Sequence, residues 1–379
     1  MKRWMLGLFI LLFSLLLAAC AEDAQPQQSD GADSPVAGKK VAYIMQMTPS
    51  DIFEMWAQSA QQTAEALGME FEAFFCNGSD TQWQKTIEQC AAEGYDGLLL
   101  SHGGQDYAYT FLKGLLEEYP ELKIVTFDTL FQDETGATQT LPGVTQFFQQ
   151  DAQLACSLLD YLCEELYPEK VAAGEPVRLL KVWLGPGYLA AFDRRQAGYA
   201  AYEEQGLIDT VATIGPSDLT QAEVSMEEVT AAALAEYPAG EIDAIWCCYD
   251  LYANGVYQAL IEGGYEIPMV SVDICTADIE KMAAEGSPWK ACATTNWYFN
   301  GEFGIRVLAL ELTDEYEQII DPMTGEASAW LELPVYVVTA DMVAGGGIDV
   351  MNLDTVAGEA YRDRSWMPTS DWMSALLAD

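Results

Sequence analysis

The chain has 379 residues, half of them hydrophobic, which is enough to bury one or two cores. Its 59 acidic residues face only 17 basic ones, a net charge of −42. That balance excludes nucleic acid as a partner, because its phosphates would be repelled, and any membrane attachment must be covalent or hydrophobic.

The N-terminus carries the clearest local signal. Lys2 and Arg3 open it, and Trp4 to Ala19 follow without a charge. Such a run suits a signal-peptide core and is short for a spanning helix. Its end, Leu17-Ala18-Ala19-Cys20, resembles the lipobox of bacterial lipoproteins. The resemblance implies a signal peptide over residues 1–20, cleavage before Cys20 and lipid on the Cys20 sulfur, with several acyl chains for stable anchoring. An uncleaved anchor helix is the alternative. Residues 21–39 are rich in Gln, Ser, Asp, Pro and Gly and read as a flexible linker.

From Lys40 onward short apolar runs alternate with amphipathic segments. The runs predict strands at Val41–Met47, Glu70–Phe75, Gly97–Ser101, Lys123–Phe127, Val144–Phe148, Val177–Leu184, Thr210–Ile214, Ala244–Cys248, Met269–Val272 and Ala291–Thr295. They are continuous rather than alternating, as parallel strands covered on both faces are. Asp51 with Glu54 reads as a capping box opening the first helix, and Gly68 as its end; Asp80 and Gly94 bracket the second. Trp330–Thr339 adds a further strand. The fold class is α/β, with two doubly wound Rossmann-like lobes and an interlobe cleft.

Eight cysteines follow Cys20, with no Cys-x-x-Cys pair, and His102 is the single histidine. This spacing supports no metal site, and no cofactor is expected. Buried thiols are the main reading, and a Cys76–Cys90 disulfide stays open.

Ligands of open parallel sheets bind outside the carboxyl ends of the strands. There this chain places Gln46 to Phe53, Ser101-His102-Gly103-Gly104, Phe127-Asp128-Thr129, Tyr249-Asp250, Val272-Asp273 and Thr295-Asn296-Trp297-Tyr298. Carboxylates and amides bond hydroxyl groups, and aromatic rings cover the C–H face of a sugar.

On these residues the segment from Val41 to about Thr339 resembles the periplasmic ribose- and galactose-binding proteins and the ligand lobes of sugar-responsive repressors. Where that family carries Asn-Pro-Phe-Phe or Phe-Trp, this chain has Ser50-Asp51-Ile52-Phe53. The resemblance implies a type I periplasmic-binding-protein fold. Lobe 1 would span 40–130 and 296–328, lobe 2 143–295 and 329–345, with 346–379 as a C-terminal tail. The chain would cross near Leu130–Gly143, Asp273–Asn296 and Glu326–Leu333. The resemblance also implies ligand contacts from Gln46, Ser50, Phe53, Asp128, Tyr249, Asp250, Asp273, Asn296 and Trp297. Within Arg194-Arg195-Gln196-Ala197-Gly198-Tyr199 it makes Arg195 the ligand arginine. His102 joins them by its strand-end position. Each has a structural rival: Asp128 and Asp273 as helix caps, Arg195 in a surface ion pair, Phe53 and Trp56 as core, His102 as a strand-end support.

The function implied is that of an extracytoplasmic, lipid-anchored substrate-binding protein of an ABC importer. Its partners would be a small sugar, a pentose or hexose or a derivative, and a membrane permease. A nucleoside- or signal-molecule-binding lipoprotein, or a sensor subunit for a membrane receptor, is the alternative. No Gly-x-Ser-x-Gly elbow, P-loop or helix-opening Gly-x-Gly-x-x-Gly is present, and an enzyme with Asp128 and Asp250 or Asp273 as a glycosidase pair is not favoured. Cys20→Ser is expected to yield an unprocessed or released protein without lipid. Detergent partitioning and mass spectrometry check this, and an identical lipid-free mature mass in both forms refutes it.

Overall fold

The computed structural model describes residues 34–133, 135–238 and 240–377. The expected signal peptide, Cys20 and most of the expected linker lie outside them. The linker ends earlier than expected. Val36 is fully buried, Ser34 Oγ donates to the Leu67 carbonyl (2.5 Å) and Gly38 N–H to the Gly68 carbonyl (2.8 Å), so residues from Ser34 onward belong to the folded body.

In chain order come β1 (Lys40–Met45), α1 (Asp51–Ala66), β2 (Glu70–Phe75), α2 (Asp80–Ala92), β3 (Gly97–Ser101), α3 (Ala108–Glu118), β4 (Lys123–Phe127) and β5 (Val144–Gln149). Next are α4 (Asp151–Asp160), α5 (Pro168–Ala172), β6 (Val177–Val182), α6 (Ala190–Glu204), β7 (Ile208–Ile214), α7 (Ala222–Glu236), β8 (Ala244–Cys247), α8 (Asp250–Gly263), β9 (Met269–Val272), α9 (Thr276–Ala283) and β10 (Trp289–Thr294). Then α10 (Trp297–Leu312), β11 (Trp330–Leu333) and β12 (Tyr336–Thr339) follow. The ten strands read between Val41 and Thr295 are all present within a few residues. Central strands such as β3, β4, β8 and β9 are buried almost end to end, as helix layers on both faces require.

Two six-stranded sheets result. The first has the order β11-β5-β4-β3-β1-β2 and is parallel throughout. The second has the order β12-β10-β9-β8-β6-β7, with only β12 antiparallel.

This topology corrects the expected boundaries. β5, assigned from sequence to lobe 2, pairs with β4 from Ile124↔Val144 to Phe127↔Phe147 and belongs to the first sheet. The first crossing is therefore at Gln150, between β5 and α4, not at Leu130–Gly143. The second crossing lies between β10 and α10, at the end of the expected window. The expected strand Trp330–Thr339 is two strands. Pro334 lacks an N–H and ends β11, which pairs with β5 in the first sheet, while β12 pairs with β10 in the second. The third crossing is thus Pro334-Val335, just beyond Glu326–Leu333.

The tail is irregular but packed. Val350 N–H donates to Thr276 Oγ1 (3.4 Å) on the second lobe, and the Tyr361 carbonyl accepts from Asn296 Nδ2 (2.9 Å) at the crossing. The Trp366 ring lies 5.7 Å from that of Phe303, and Trp372 Nε1 donates to Glu315 Oε1 (2.7 Å) on the first lobe. The tail is a fourth span between the lobes. Among the described residues no helix is long and apolar enough to cross a membrane, and all eight cysteines, Cys76 and Cys90 included, are free.

Helix contacts are close where glycine allows it. A Cβ on Gly198 of α6 would sit 2.2 Å from the Ala152 carbonyl oxygen of α4. Backbone occupies that space, so Gly198→Ala must push α6 away from α4 and is expected to cost about 1–3 kcal/mol. Urea unfolding measures this, and an unchanged midpoint contradicts the packing described.

Candidate functional site between the lobes

The site is built at the strand ends of both sheets. His102 follows β3, Asp128 follows β4 and Asp273 follows β9, with φ of 60°, 43° and 70°. Left-handed backbone is costly for residues with a Cβ and is retained where the surroundings fix it, often at functional sites. It turns each side chain off the end of its strand.

Asp151, the first residue of α4, organises the centre. It is buried, and both its oxygens are used. Oδ2 accepts from Arg194 Nε (2.9 Å) and Nη2 (2.5 Å), and Oδ1 from Arg195 Nε (2.9 Å). Arg195 spends its remaining nitrogens on the Cys248 carbonyl (2.6 Å) and on Asp273 Oδ2 (3.1 Å). It is a strut inside the second lobe rather than the ligand-facing arginine expected. Arg194 reaches across the cleft, where its Nη2 donates to Asp128 Oδ1 (2.9 Å) on the first lobe. Its Nη1 is buried with no partner among the described residues, as is Asp273 Oδ1. Burial opposes the charge on both guanidiniums, but Asp151 with Asp128 or Asp273 outweighs it and holds both protonated.

Burial likewise works against the Asp128 carboxylate. Arg194, His102 and Arg195 prevail and lower its pKa. His102 Nε2 lies 4.0 Å from Asp128 Oδ2, and its Nδ1 is 2.5 Å from Ser101 Oγ. Burial lowers the imidazole pKa against the pull of Asp128, so the ring is neutral near pH 7. Phe53 lies edge-on to His102 (5.5 Å) and to Trp297 (5.8 Å) and is half-buried, forming an apolar wall beside these polar groups.

The other expected residues fall into two groups. Tyr249 is half-buried on the second lobe, its ring 5.8 Å from Phe192 and 5.4 Å from Tyr252. Ser50 Oγ is buried without a partner among the described residues. Gln46 lies further out and donates to Asp80 Oδ1 (3.1 Å) on an exposed rim. Asn296 is committed to structure: Oδ1 accepts from Phe299 N–H (3.2 Å) and Nδ2 bonds Tyr361. Trp297 is buried, packed 6.0 Å from Trp56 and 5.9 Å from Phe127, while Trp56 is wholly core.

Asp250 is buried beside Asp278 and Cys275, a trio whose ligand atoms lie within 4.8 Å of one another. Capping accounts for it. Asp278 Oδ2 accepts from Cys275 N–H (2.8 Å), its Oδ1 from Asn254 Nδ2 (3.0 Å), and Asp250 Oδ1 from Leu251 N–H (2.8 Å). Burial, and then the charge of Asp278, push the Asp250 carboxyl well above its ordinary range, and the two acids are hydrogen-bonded to each other.

Sequence reasoning missed Asp151 and chose Arg195 over its neighbour Arg194. The helix start Asp151 could not be placed at the site while β5 was assigned to the second lobe. The adjacent arginines differ only by about 100° around the helix. A cavity of about 290 Å³ flanks the network beside the first crossing, lined by Gln149, Asp151, Arg194 and Glu332 among others.

A family model described as periplasmic binding proteins and sugar binding domain of LacI family matches residues 39–276. A sugar ABC transporter protein from Yersinia enterocolitica subsp. enterocolitica is 25% identical, with a TM-score of 0.71 over 90% of this chain and 95% of that one. A 5-methylthioribose transporter solute binding protein from Thermotoga lettingae, solved with 5-methylthioribose, is 22% identical, with a TM-score of 0.71 over 89% of this chain and 98% of that one. A periplasmic ribose ABC transporter protein from Conexibacter woesei is 17% identical, with a TM-score of 0.66 over 89% and 100%. No curated protein matches in a sequence search.

The Asp250 carboxyl yields a pH prediction. Its pKa is raised on folding, so its contribution to stability is present below the unfolded value of about 3.9 and is lost as pH rises through the folded value. Asp250→Asn keeps a group able to donate to Asp278 but cannot ionise. The variant is expected to melt several degrees above the parent at neutral pH, with the gain vanishing toward about pH 4. Melting curves across this range test it, and a gain that grows on acidification refutes it.

Proposed function

We propose that this chain, which belongs to the family of periplasmic binding proteins and LacI-type sugar-binding domains, is the extracytoplasmic substrate-binding lipoprotein of an ABC importer. It captures a small neutral sugar, a pentose, a hexose or a derivative, between lobes that close by hinge motion, and delivers it to a membrane permease. Lipid on Cys20 holds it at the membrane. It acts by binding, not by catalysis.

One observation carries the reading. Asp128 from the first lobe and Arg194 and Asp273 from the second converge on one cleft, with Arg194 Nη1 and Asp273 Oδ1 buried and unpartnered among the described residues. Buried polar atoms without partners are costly, by roughly 1–3 kcal/mol each, unless a ligand satisfies them. A hydroxyl both donates and accepts, so adjacent hydroxyls of one sugar serve a carboxylate and a guanidinium together. Both arginines are already neutralised by Asp151, Asp128 and Asp273, which argues against a sugar acid or phosphate. Phe53 supplies the apolar face for the ring. The sugar, 5-methylthioribose and ribose transport proteins of similar structure support the same reading.

A nucleoside is the second reading, favoured by the aromatic series Tyr188, Phe192, Tyr249 and Tyr252 on the second lobe, with successive ring distances of 6.0, 5.8 and 5.4 Å. Thermal shift against D-ribose, D-galactose, D-xylose, 5-methylthioribose, adenosine and uridine separates the two, since a ligand of the native state raises melting by mass action. A sugar is expected to give the largest shift. Asp128→Ala and Arg194→Ala should then weaken it by about tenfold to a hundredfold in calorimetry run well below the melting point of each variant. A panel without any shift, or two variants of unchanged affinity, overturns the reading.

A further inference from the structure

We propose that Asp51 is a positioning residue for ligand capture: from the first lobe it caps the N-terminus of α9 on the second, and so holds the cleft closed without touching the ligand. The role in capture rests on the function proposed above; the latch itself is measurable without any sugar.

The sequence suggests that Asp51 caps its own helix, paired with Glu54. The folded chain uses it otherwise. Ser50 is the N-cap of α1, without a side-chain cap bond, and Asp51 is the first helical residue. Its Oδ1 accepts from Ile52 N–H (2.8 Å), next to it in the chain. Its Oδ2 accepts from Thr276 N–H (2.9 Å), which is 225 residues away on the other lobe.

The receiving end is prepared for a carboxylate. The N-cap of α9 is Cys275, and its capping box with Asp278 uses the N–H groups of Cys275 and Asp278. Thr276 N–H, the first inside the helix, is left over. A helix of eight residues presents partial positive charge there, and an anion at that end is stabilising. Thr276 is itself held, because its Oγ1 accepts from Val350 N–H (3.4 Å) of the tail. The giving end is equally rigid: α1 packs so closely on α10 that a Cβ on Gly301 would lie 2.3 Å from the Trp56 carbonyl oxygen.

The bond joins elements layered on different sheets, so it forms only when the lobes are together. The ion pair across the cleft, Asp128 with Arg194, uses groups that a ligand would engage. Asp51 and Thr276 N–H are free of that competition, and their bond favours the closed form whether or not the site is filled. A binding-competent state that is more populated binds with higher apparent affinity.

Small-angle scattering of the sugar-free protein and calorimetry with whichever of D-ribose, D-galactose or 5-methylthioribose binds test this together. Asp51→Ala removes the acceptor. Thr276→Pro removes the donor, at a first helical position that tolerates proline. Both are expected to enlarge the radius of gyration and to weaken binding by roughly three- to thirtyfold. Thr276→Ser, which keeps both the N–H and the hydroxyl, should behave as the parent, and the double variant should be no weaker than either single one. An unchanged radius of gyration for Asp51→Ala, or additive losses in the double variant, overturns the latch. If Asp51→Ala weakens binding and Thr276→Pro does not, Asp51 acts on the sugar itself, and the latch fails while the sugar reading stands. If no sugar binds but both variants open the lobes, the latch stands and the sugar reading fails. Should Thr276→Pro not fold, Asp51→Lys replaces it, setting a positive charge against the helix end. Lobes no more open than in the parent then overturn the proposal.

Discussion

A carboxylate taken out of water must be paired, and Asp151 is paired with two arginines at once. Each of its oxygens fixes one guanidinium, and this decides what each arginine can still do. Arg195, tied also to Cys248 and Asp273, has no nitrogen to spare and stiffens the second lobe. Arg194, tied to Asp151 on one edge, offers the other to Asp128 and keeps one buried nitrogen unpartnered among the described residues. Replacing one partner of so buried a network would strand the others, which is far costlier than never having built it. The geometry depends on backbone proximity, because α4 and α6 meet where Gly198 has no side chain.

Around this centre the two sheets contribute in the same way. Residues at strand ends are forced into left-handed backbone, and His102, Asp128 and Asp273 meet that demand. Aspartate tolerates the conformation better than most residues because its short side chain bonds locally. At Asp128 and Asp273 it also sets carboxylate oxygens where the lobes face each other, Asp128 bonded to Arg194 and Asp273 to Arg195. Conformational requirement and charge thus fall on the same positions, at strand ends that the sequence pattern marks.

The lobes are joined by more than their three crossings. The tail begins on the second lobe at Val350 and ends on the first at Trp372, passing the crossing at Asn296 on the way. Asn296 is informative in this respect. Its strand-end position suggested a ligand contact, yet both ends of its side chain brace backbone, one in its own helix and one in the tail. Thr276 shows the converse, since nothing in its local sequence marks it, yet it meets the first lobe through its N–H and the tail through its hydroxyl.

What the sequence by itself determined was local and periodic. Continuous apolar runs gave the strands, Gly68 and Gly94 gave helix ends, and the polar residues that interrupt strand ends gave His102, Asp128 and Asp273. These signals survive folding because they arise from burial on two faces and from backbone conformation, which neighbouring residues largely dictate. The tertiary structure decided which strands share a sheet, and therefore where the chain crosses. Pairing of β5 with β4 is a hydrogen-bond choice between segments some twenty residues apart, and hydrophobic pattern does not encode partners. It likewise decided between Arg194 and Arg195. Both are arginine on one helix, and only the placement of Asp151, Asp273 and Asp128 in space makes one a strut and turns the other toward the cleft.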